Sequence, residues 1–169
     1  MYGGAVPRCA AAAFCAACVG KGDNVRWLVA PRAGPTSAHR SYVGSPLVLK
    51  TTHEMADGSA VEVLDFMPPR GEAADLIRIV RGLRGTVAMK LELSLRFDYG
   101  WIVPWVRKID DGIAAVGGPD GVHFQSEVDV HLTRDVIRAE FTIAEDDERC
   151  LGMTRYHSHP EVTPRVDAR

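Results

Sequence analysis

The stretch Val87–Phe97 reads VAMKLELSLRF, and every second residue in it, starting from Val87, is large and apolar. The intervening positions hold Ala88, Lys90, Glu92, Ser94 and Arg96. Successive side chains of a β-strand point to opposite faces, so this alternation predicts a strand with one face on a core and the other in water. Ser94 is expected on the water side.

The same period of two recurs along the rest of the chain. Ile137–Ile143 alternates in the same way, and Leu76–Val80 is apolar on both faces. Shorter candidate strands are Trp27–Ala30, Leu47–Thr51, Val61–Phe66, Val103–Ile109, Ile113–Val116, Val122–Gln125 and Arg149–Tyr156. About ten short strands at this spacing are typical of an antiparallel sandwich or barrel.

Turn residues separate these strands. Asp57-Gly58, within Ala56–Ser59, is the pair that a type I′ hairpin turn prefers. The triplets at 110–112 and 119–121 repeat the Asp-Gly pair, and Gly82–Gly85 links two more strands. These turns favour hairpins between sequential strands.

The first part of the chain differs from the rest. Cys9–Val19 is Ala-rich, lacks Gly and Pro, and ends at Gly20, which predicts one short helix with a glycine after its C-terminus. Cys9, Cys15, Cys18 and Cys150 do not form the dense framework of a disulfide-rich secreted domain, which favours free thiols and a cytoplasmic protein. No apolar run reaches the ~20 residues that cross a bilayer, so no membrane partner is expected.

The overall charge argues against a nucleic-acid partner. The chain has 169 residues, with 20 Lys and Arg against 22 Asp and Glu, for a net charge of -2. Nucleic-acid binding normally requires a basic face.

Two short motifs contain residue types that bind metal ions. Cys15 and Cys18 have C-x-x-C spacing, and His157 and His159 supply two imidazoles. Zinc needs four N or S ligands in a tetrahedron, but this C-x-x-C lies inside a predicted helix and has no second copy. Core thiols and surface histidines explain these residues better, and we predict no metal and no cofactor.

Glycoside hydrolysis needs a pair of carboxyl groups, one as acid and one as base or nucleophile. The candidates are Asp65, Asp75, Asp98, Asp110, Asp111 and the run Glu145–Glu148. Asp110 and Asp111 belong to a predicted hairpin turn, and the run reads as a solvated turn after a strand. No pair is singled out, so no catalytic residue is predicted.

Aromatic residues cluster around Pro104. Trp101, Trp105, Tyr99 and Phe97 lie within nine residues, and flat aromatic faces can stack on sugar rings. Phe97 follows the apolar face of its strand and is expected in the core. Trp101, Trp105 and Tyr99 are candidate sugar-binding residues, with core packing as the alternative.

Several motifs in order resemble one known family. They are Ala56-Asp57-Gly58, Leu64–Arg70 (LDFMPPR), Asp75–Val80 (DLIRIV) with Gly82, Arg96–Gly100 (RFDYG) with Pro104-Trp105, and Tyr156–His159 (YHSH). This set, spread over residues 20–167, is similar to the N-terminal domain of trehalases and glucoamylases of glycoside hydrolase family 15.

The resemblance implies a large two-sheet antiparallel β-sandwich over residues 1–159 and the beginning of a linker at 160–169. In this family a catalytic (α/α)6 barrel follows the linker, and its glutamates have no counterpart here. The resemblance therefore implies a non-catalytic domain whose partner is a glucosidase barrel. An α-glucoside sugar is the other candidate partner. A free-standing carbohydrate-binding module that uses Trp101 and Trp105 is the alternative function.

The N-terminal end departs from the family pattern. Pro7–Ala11 reads PRCAA where the family has Pro-Arg-Phe-Asp-Ser, and the first hairpin of the family domain has no counterpart. Loss of edge strands would expose backbone groups. This departure affects the stability of the chain on its own. It also affects any contact that the Pro-Arg-Phe-Asp-Ser loop makes with a barrel.

Overall fold

A computed structural model describes residues 26–44, 47–69 and 74–158, with the side chains of Ala74 and Tyr99 left out of the description. The predicted helix at Cys9–Val19 and the predicted linker at 160–169 lie outside these residues. Twelve strands occur in the described part: β1 (Arg26–Pro31), β2 (Ser37–Val43), β3 (Val48–Glu54), β4 (Ala60–Phe66), β5 (Ala74–Arg84), β6 (Thr86–Ser94), β7 (Trp105–Ile109), β8 (Gly112–Gly117), β9 (Asp120–Ser126), β10 (His131–Thr133), β11 (Val136–Ala144) and β12 (Glu148–His157). A 3₁₀ turn at Asp98–Gly100 precedes β7.

The strands form two sheets, and all strand pairs are antiparallel. The small sheet has the order β1-β6-β11-β10, and the large sheet has the order β2-β3-β4-β5-β12-β9-β8-β7. Apolar residues of both sheets form one core between them. The predicted all-β, two-sheet antiparallel fold is confirmed.

Strand β6 is an interior strand of the small sheet and carries the alternation seen in the sequence. Val87, Met89, Leu91 and Leu93 are buried, and β6 pairs with β1 on one side and β11 on the other. The prediction for Ser94 was wrong, because Ser94 is buried. Its cross-strand neighbours are Arg26 and Val136, and a short side chain between two longer ones exposes little surface.

The large sheet buries side chains on both of its faces. Its inner face meets the small sheet through the core residues Val61, Val63, Val80, Ile113, Ala115, Val122, Phe124, Leu151 and Met153. Buried residues also occur on its outer face, among them Ile77 and Ala114, which are not part of that core. The outer face is therefore not an ordinary solvated face.

Two of the predicted turns differ in detail from the prediction. The turn at Asp57-Gly58 has a positive φ at Gly58 only, whereas type I′ needs a positive φ at both central residues. Asp57 instead accepts hydrogen bonds from the backbone N–H and hydroxyl of Ser59, at 2.9 and 2.6 Å. These hydrogen bonds hold the pKa of Asp57 below its usual value.

The hairpin between β8 and β9 turns two residues earlier than the Asp120-Gly121 pair predicts. Gly117 pairs with Asp120, so Gly118 and Pro119 form the two-residue connection, and Gly121 lies within β9. Gly118 has φ +64°, a conformation that glycine adopts without strain. By contrast, Arg134 and Asp135 join β10 to β11 with positive φ at both residues, although neither is glycine.

Two strands were not predicted from the sequence. Strand β2 is an edge strand whose residues are mostly exposed on both faces, so it has no apolar alternation. Strand β10 is only three residues long. Both therefore lack the periodic signal on which the prediction depends.

Two of the corners at which the chain passes from one sheet to the other, β5–β6 and β11–β12, are adjacent. Gly82, in β5 before the first corner, donates its N–H to the carbonyl of Asp147 (3.0 Å), and its own carbonyl accepts the N–H of Asp146 (3.2 Å). A Cβ at position 82 would lie 1.8 Å from the carbonyl oxygen of Ala144. Only glycine allows the two corners to approach so closely.

Candidate functional site

The aromatic residues predicted to bind sugar lie at one edge of the large sheet. Trp101 is 86% exposed, Val103 is 56% exposed and Trp105 is 67% exposed. Trp105 begins β7, which is the last strand of the large sheet and, among the described residues, pairs only with β8. We call Trp101, Val103 and Trp105 the aromatic edge.

The other two aromatic residues of this cluster are not part of the exposed surface that can be described. Phe97 is buried in the core, as predicted, and a bridge between Phe97 and Ile102 closes the loop that carries Trp101. The backbone of Tyr99 lies in the 3₁₀ turn, but its side chain is outside the described part. The prediction for Tyr99 therefore stays a prediction.

Two polar residues share the outer face of the large sheet with Trp105. The guanidinium carbon of Arg107 lies 5.4 Å from the centre of the Trp105 ring. Register places Trp105, Val116, Gly121 and Tyr156 side by side on four adjacent strands. Burial raises the pKa of the Tyr156 hydroxyl, and the charge of Arg107 partly opposes this rise. Trp105, Arg107 and Tyr156 thus lie on one surface.

The candidate carboxylates do not come together as a pair. Asp65 forms an ion pair with Arg78, whose guanidinium also donates to the backbone carbonyl of Trp27 at 2.9 Å. Asp110 and Asp111 form the two-residue turn between β7 and β8, as predicted. The run at 145–148 lies mostly in the turn after β11, but Glu148 begins β12 and pairs with Arg81 at 2.7 Å.

The metal motifs can be followed only in part. Cys15, Cys18 and His159 lie outside the described residues, and His157 ends β12 as an exposed residue. Among the residues that the structure describes, no group of three or more His, Cys, Asp or Glu side chains is arranged to hold a metal ion. Cys150 is buried.

A polar row on the outer face of the large sheet was missed by the sequence analysis. Asp75 of β5 pairs with Thr154 of β12, and Thr154 pairs with His123 of β9. His123 is fully buried (0% exposed), and Thr154 is 1% exposed. We call Asp75, Thr154 and His123, with Gly152 beside them, the outer strip.

The sequence held little sign of this row. Asp75 was considered only as one of several carboxylates, and His123 lies between Val122 and Phe124 in a pattern that predicts solvent exposure. Only the pairing of β5, β12 and β9, which are far apart in the chain, brings the three residues together.

Fold and surface together define the class of this protein as a two-sheet antiparallel β-sandwich with an exposed aromatic edge. No protein-family model matches the sequence, and comparison with curated proteins finds no match. In the part of the chain that the structure describes, no helix has the length and apolar character needed to cross a bilayer.

Proposed function

We propose that this chain is a non-catalytic β-sandwich domain that packs against a glucosidase barrel of glycoside hydrolase family 15, in a protein of carbohydrate metabolism in the cytoplasm. The motif resemblance supplies the identity of the partner. The observation that carries the proposal is the aromatic edge, since large apolar side chains exposed together are typical of a surface that contacts another protein.

The position of the end of β12 also favours the aromatic edge as the contact surface. Ser158 donates its N–H to the carbonyl of Pro119 (2.9 Å) and its hydroxyl to the carbonyl of Gly118 (2.9 Å). The Gly118-Pro119 turn follows β8, whose Val116 is the cross-strand neighbour of Trp105. A domain joined after β12 would start close to the aromatic edge, and a short tether raises the effective concentration of the two surfaces.

The experiment mixes the purified chain with a family 15 barrel expressed without its own N-terminal domain. We expect a complex by sedimentation velocity and by calorimetry, and we expect Trp101→Ser with Trp105→Ser to weaken it at least about tenfold. Leu47→Ser is the matched control, because Leu47 is exposed near the opposite edge strand, β2. Equal affinity of all three proteins, or no complex at all, would contradict the proposal.

The absence of catalysis is tested separately. We expect the purified chain to release no glucose from trehalose or from maltooligosaccharides. Turnover that follows the chain through successive purification steps and disappears with it would contradict this part of the proposal.

The second candidate function is a free-standing carbohydrate-binding module. The observation that favours it is the exposed ring of Trp105, which has the guanidinium of Arg107 over one face. Titration of trehalose or maltotriose would then change tryptophan fluorescence, and Trp105→Ala would remove the change. No response at millimolar sugar would exclude this function for the aromatic edge.

A further inference from the structure

The two sheets end in four edge strands, and β2 differs from the other three. Strand β1 ends in Pro31 and its residues are buried or half-buried, β10 has three residues, and β7 has five, among them the basic pair Arg107 and Lys108. Strand β2 has seven residues without Pro or Gly, and six of them are exposed. Short length, proline and charge are the usual protection of an edge, so β2 is the least protected edge in the described part of the chain.

Strand β2 offers both backbone groups and apolar surface to a further strand. It pairs with β3 in unbroken register from Ser37 to Val43, and among the described residues it has no second partner strand. Every second residue of an antiparallel edge strand directs its backbone N–H and carbonyl away from the sheet. Tyr42 is 58% exposed and Val43 is 44% exposed. An added strand would pair these backbone groups and cover these side chains.

We propose that β2 is the contact between two copies of this chain, which join their large sheets edge to edge about a twofold axis. Pairing of β2 with β7 of another copy is disfavoured, because it brings Arg40 toward Arg107 and Lys108. Pairing of β2 with itself closes the assembly at two copies, whereas pairing of β2 with β7 would continue into a fibre. The net charge of -2 leaves little long-range repulsion between copies.

The side chains of β2 select the register of this contact. Residues that meet across the twofold axis must lie on the same face of the joined sheet, so the axis passes through one residue of β2. An axis at Arg40 would set two guanidinium groups opposite each other, which is unfavourable. An axis at His39 would leave Tyr42 and Val43 outside the pairing. An axis at Ser41 avoids both problems.

The Ser41 register sets complementary side chains opposite each other. Arg40 of each copy lies opposite Tyr42 of the other, so the contact contains two such pairs. A guanidinium beside the ring of a directly opposite tyrosine forms a favourable cation–π pair. Ser41 meets its own copy on the axis, where its short, half-buried side chain allows close approach. Each copy therefore supplies both members of the contact.

The test is the association of the purified full chain, followed by sedimentation velocity over a range of concentrations. We expect a reversible dimer with a Kd of about 10–100 µM, because two paired edge strands bury less area than a standard interface. Tyr42→Lys places a second positive charge opposite Arg40 and should weaken the dimer at least about tenfold. Arg40→Glu combined with Tyr42→Lys sets opposite charges across the axis and should recover most of the loss.

Thr142→Lys is the matched control, because it adds the same charge at an exposed position of β11 and should leave the dimer unchanged. Trp101→Ser with Trp105→Ser should also dimerise as the wild type does, since the inference does not depend on the proposed barrel contact. Circular dichroism establishes that each variant keeps the fold.

Amide hydrogen exchange tests the same contact without a substitution. Exchange of the β2 amides in the wild type should slow as the protein concentration rises, whereas exchange of the β7 amides should not change. The inference is overturned if the chain stays monomeric at about 0.5 mM, which would leave β2 to a strand of another protein. Oligomers that grow beyond the dimer, or equal dimerisation of Tyr42→Lys and the wild type, would overturn it as well.

Discussion

The two sheets carry very different outward faces. On the small sheet, the outward residues Lys90, Arg138, Glu140 and Thr142 are exposed, and Glu92 pairs with both Arg26 and Arg138. On the large sheet, His123, Thr154 and Ala114 point outward but are almost completely buried. The first face is an ordinary solvated face, whereas these positions of the second are closed to water.

The same alternation of apolar and polar residues can therefore leave the polar side chains either exposed to water or buried. A polar side chain on the small sheet meets water and costs little. A polar side chain in the outer strip has lost water, and within the described part of the chain Oγ1 of Thr154 has no hydrogen-bond partner in exchange, which makes its burial expensive.

The largest expected difference in stability between the two outward faces comes from placing a negative charge on each. Thr154→Glu would bury an unpaired carboxylate, and we expect it to cost about 3–5 kcal/mol in free energy of unfolding. Thr142→Glu, on the exposed face of β11, should change stability by about 0.5 kcal/mol or less. Urea unfolding of both variants is the measurement, and similar losses in the two would remove the distinction between the faces.

Alanine substitutions at two neighbouring residues of β12 should change the free energy of unfolding in opposite directions. Leu151 is fully buried in the core, so Leu151→Ala should lose about 2–5 kcal/mol through the cavity it leaves. Thermal and urea unfolding would show the loss as a lower Tm and a lower midpoint.

Gly152→Ala should instead gain about 0.4–1 kcal/mol, because the added methyl group meets open space and alanine restricts the unfolded chain. The same unfolding experiments apply. A loss as large as that of Leu151→Ala would mean that position 152 is tightly packed.

The smallest effect is expected on the solvated face of the small sheet. Partial burial tends to raise the pKa of Glu92, but the hydrogen bonds and charges of Arg26 and Arg138 outweigh it and hold the pKa below the usual 4.5. Because the pKa is lowered on folding, the ionised carboxylate contributes stability above pH 4.5, and this contribution is lost as the pH falls through the folded-state pKa.

Glu92→Gln should therefore cost at most about 1 kcal/mol at pH 7. The difference from the wild type should shrink when unfolding is repeated well below pH 4.5. A difference that grows toward acid pH would contradict the assigned ion pairs.

Some of the fold could be predicted from local patterns alone. Val87–Leu93 and Ile137–Ile143 alternate because each strand has one face on the core, and their cross-strand pairing in β6 and β11 follows this pattern. Strand β2 could not be predicted in this way, since an exposed edge strand needs no apolar face. The turn at Arg134-Asp135 also lacked a signal, because its residues adopt positive φ without being glycine.

Neither candidate site could be predicted fully from local sequence patterns. Exposure of Trp101 and Trp105 was left open by the sequence, because an aromatic residue serves a core as readily as a surface. The outer strip had no sequence signal, since Asp75, His123 and Thr154 lie in three separate segments.

Local alternation of residue types is enough to predict the all-β class and the side chains that β6 and β11 turn toward a core. Tertiary structure alone decided which outward faces meet water, because the burial of a side chain depends on what covers its strand and not on its own sequence neighbours. It also decided that Asp75, Thr154 and His123 share one row, since antiparallel pairing sets residues of distant segments side by side.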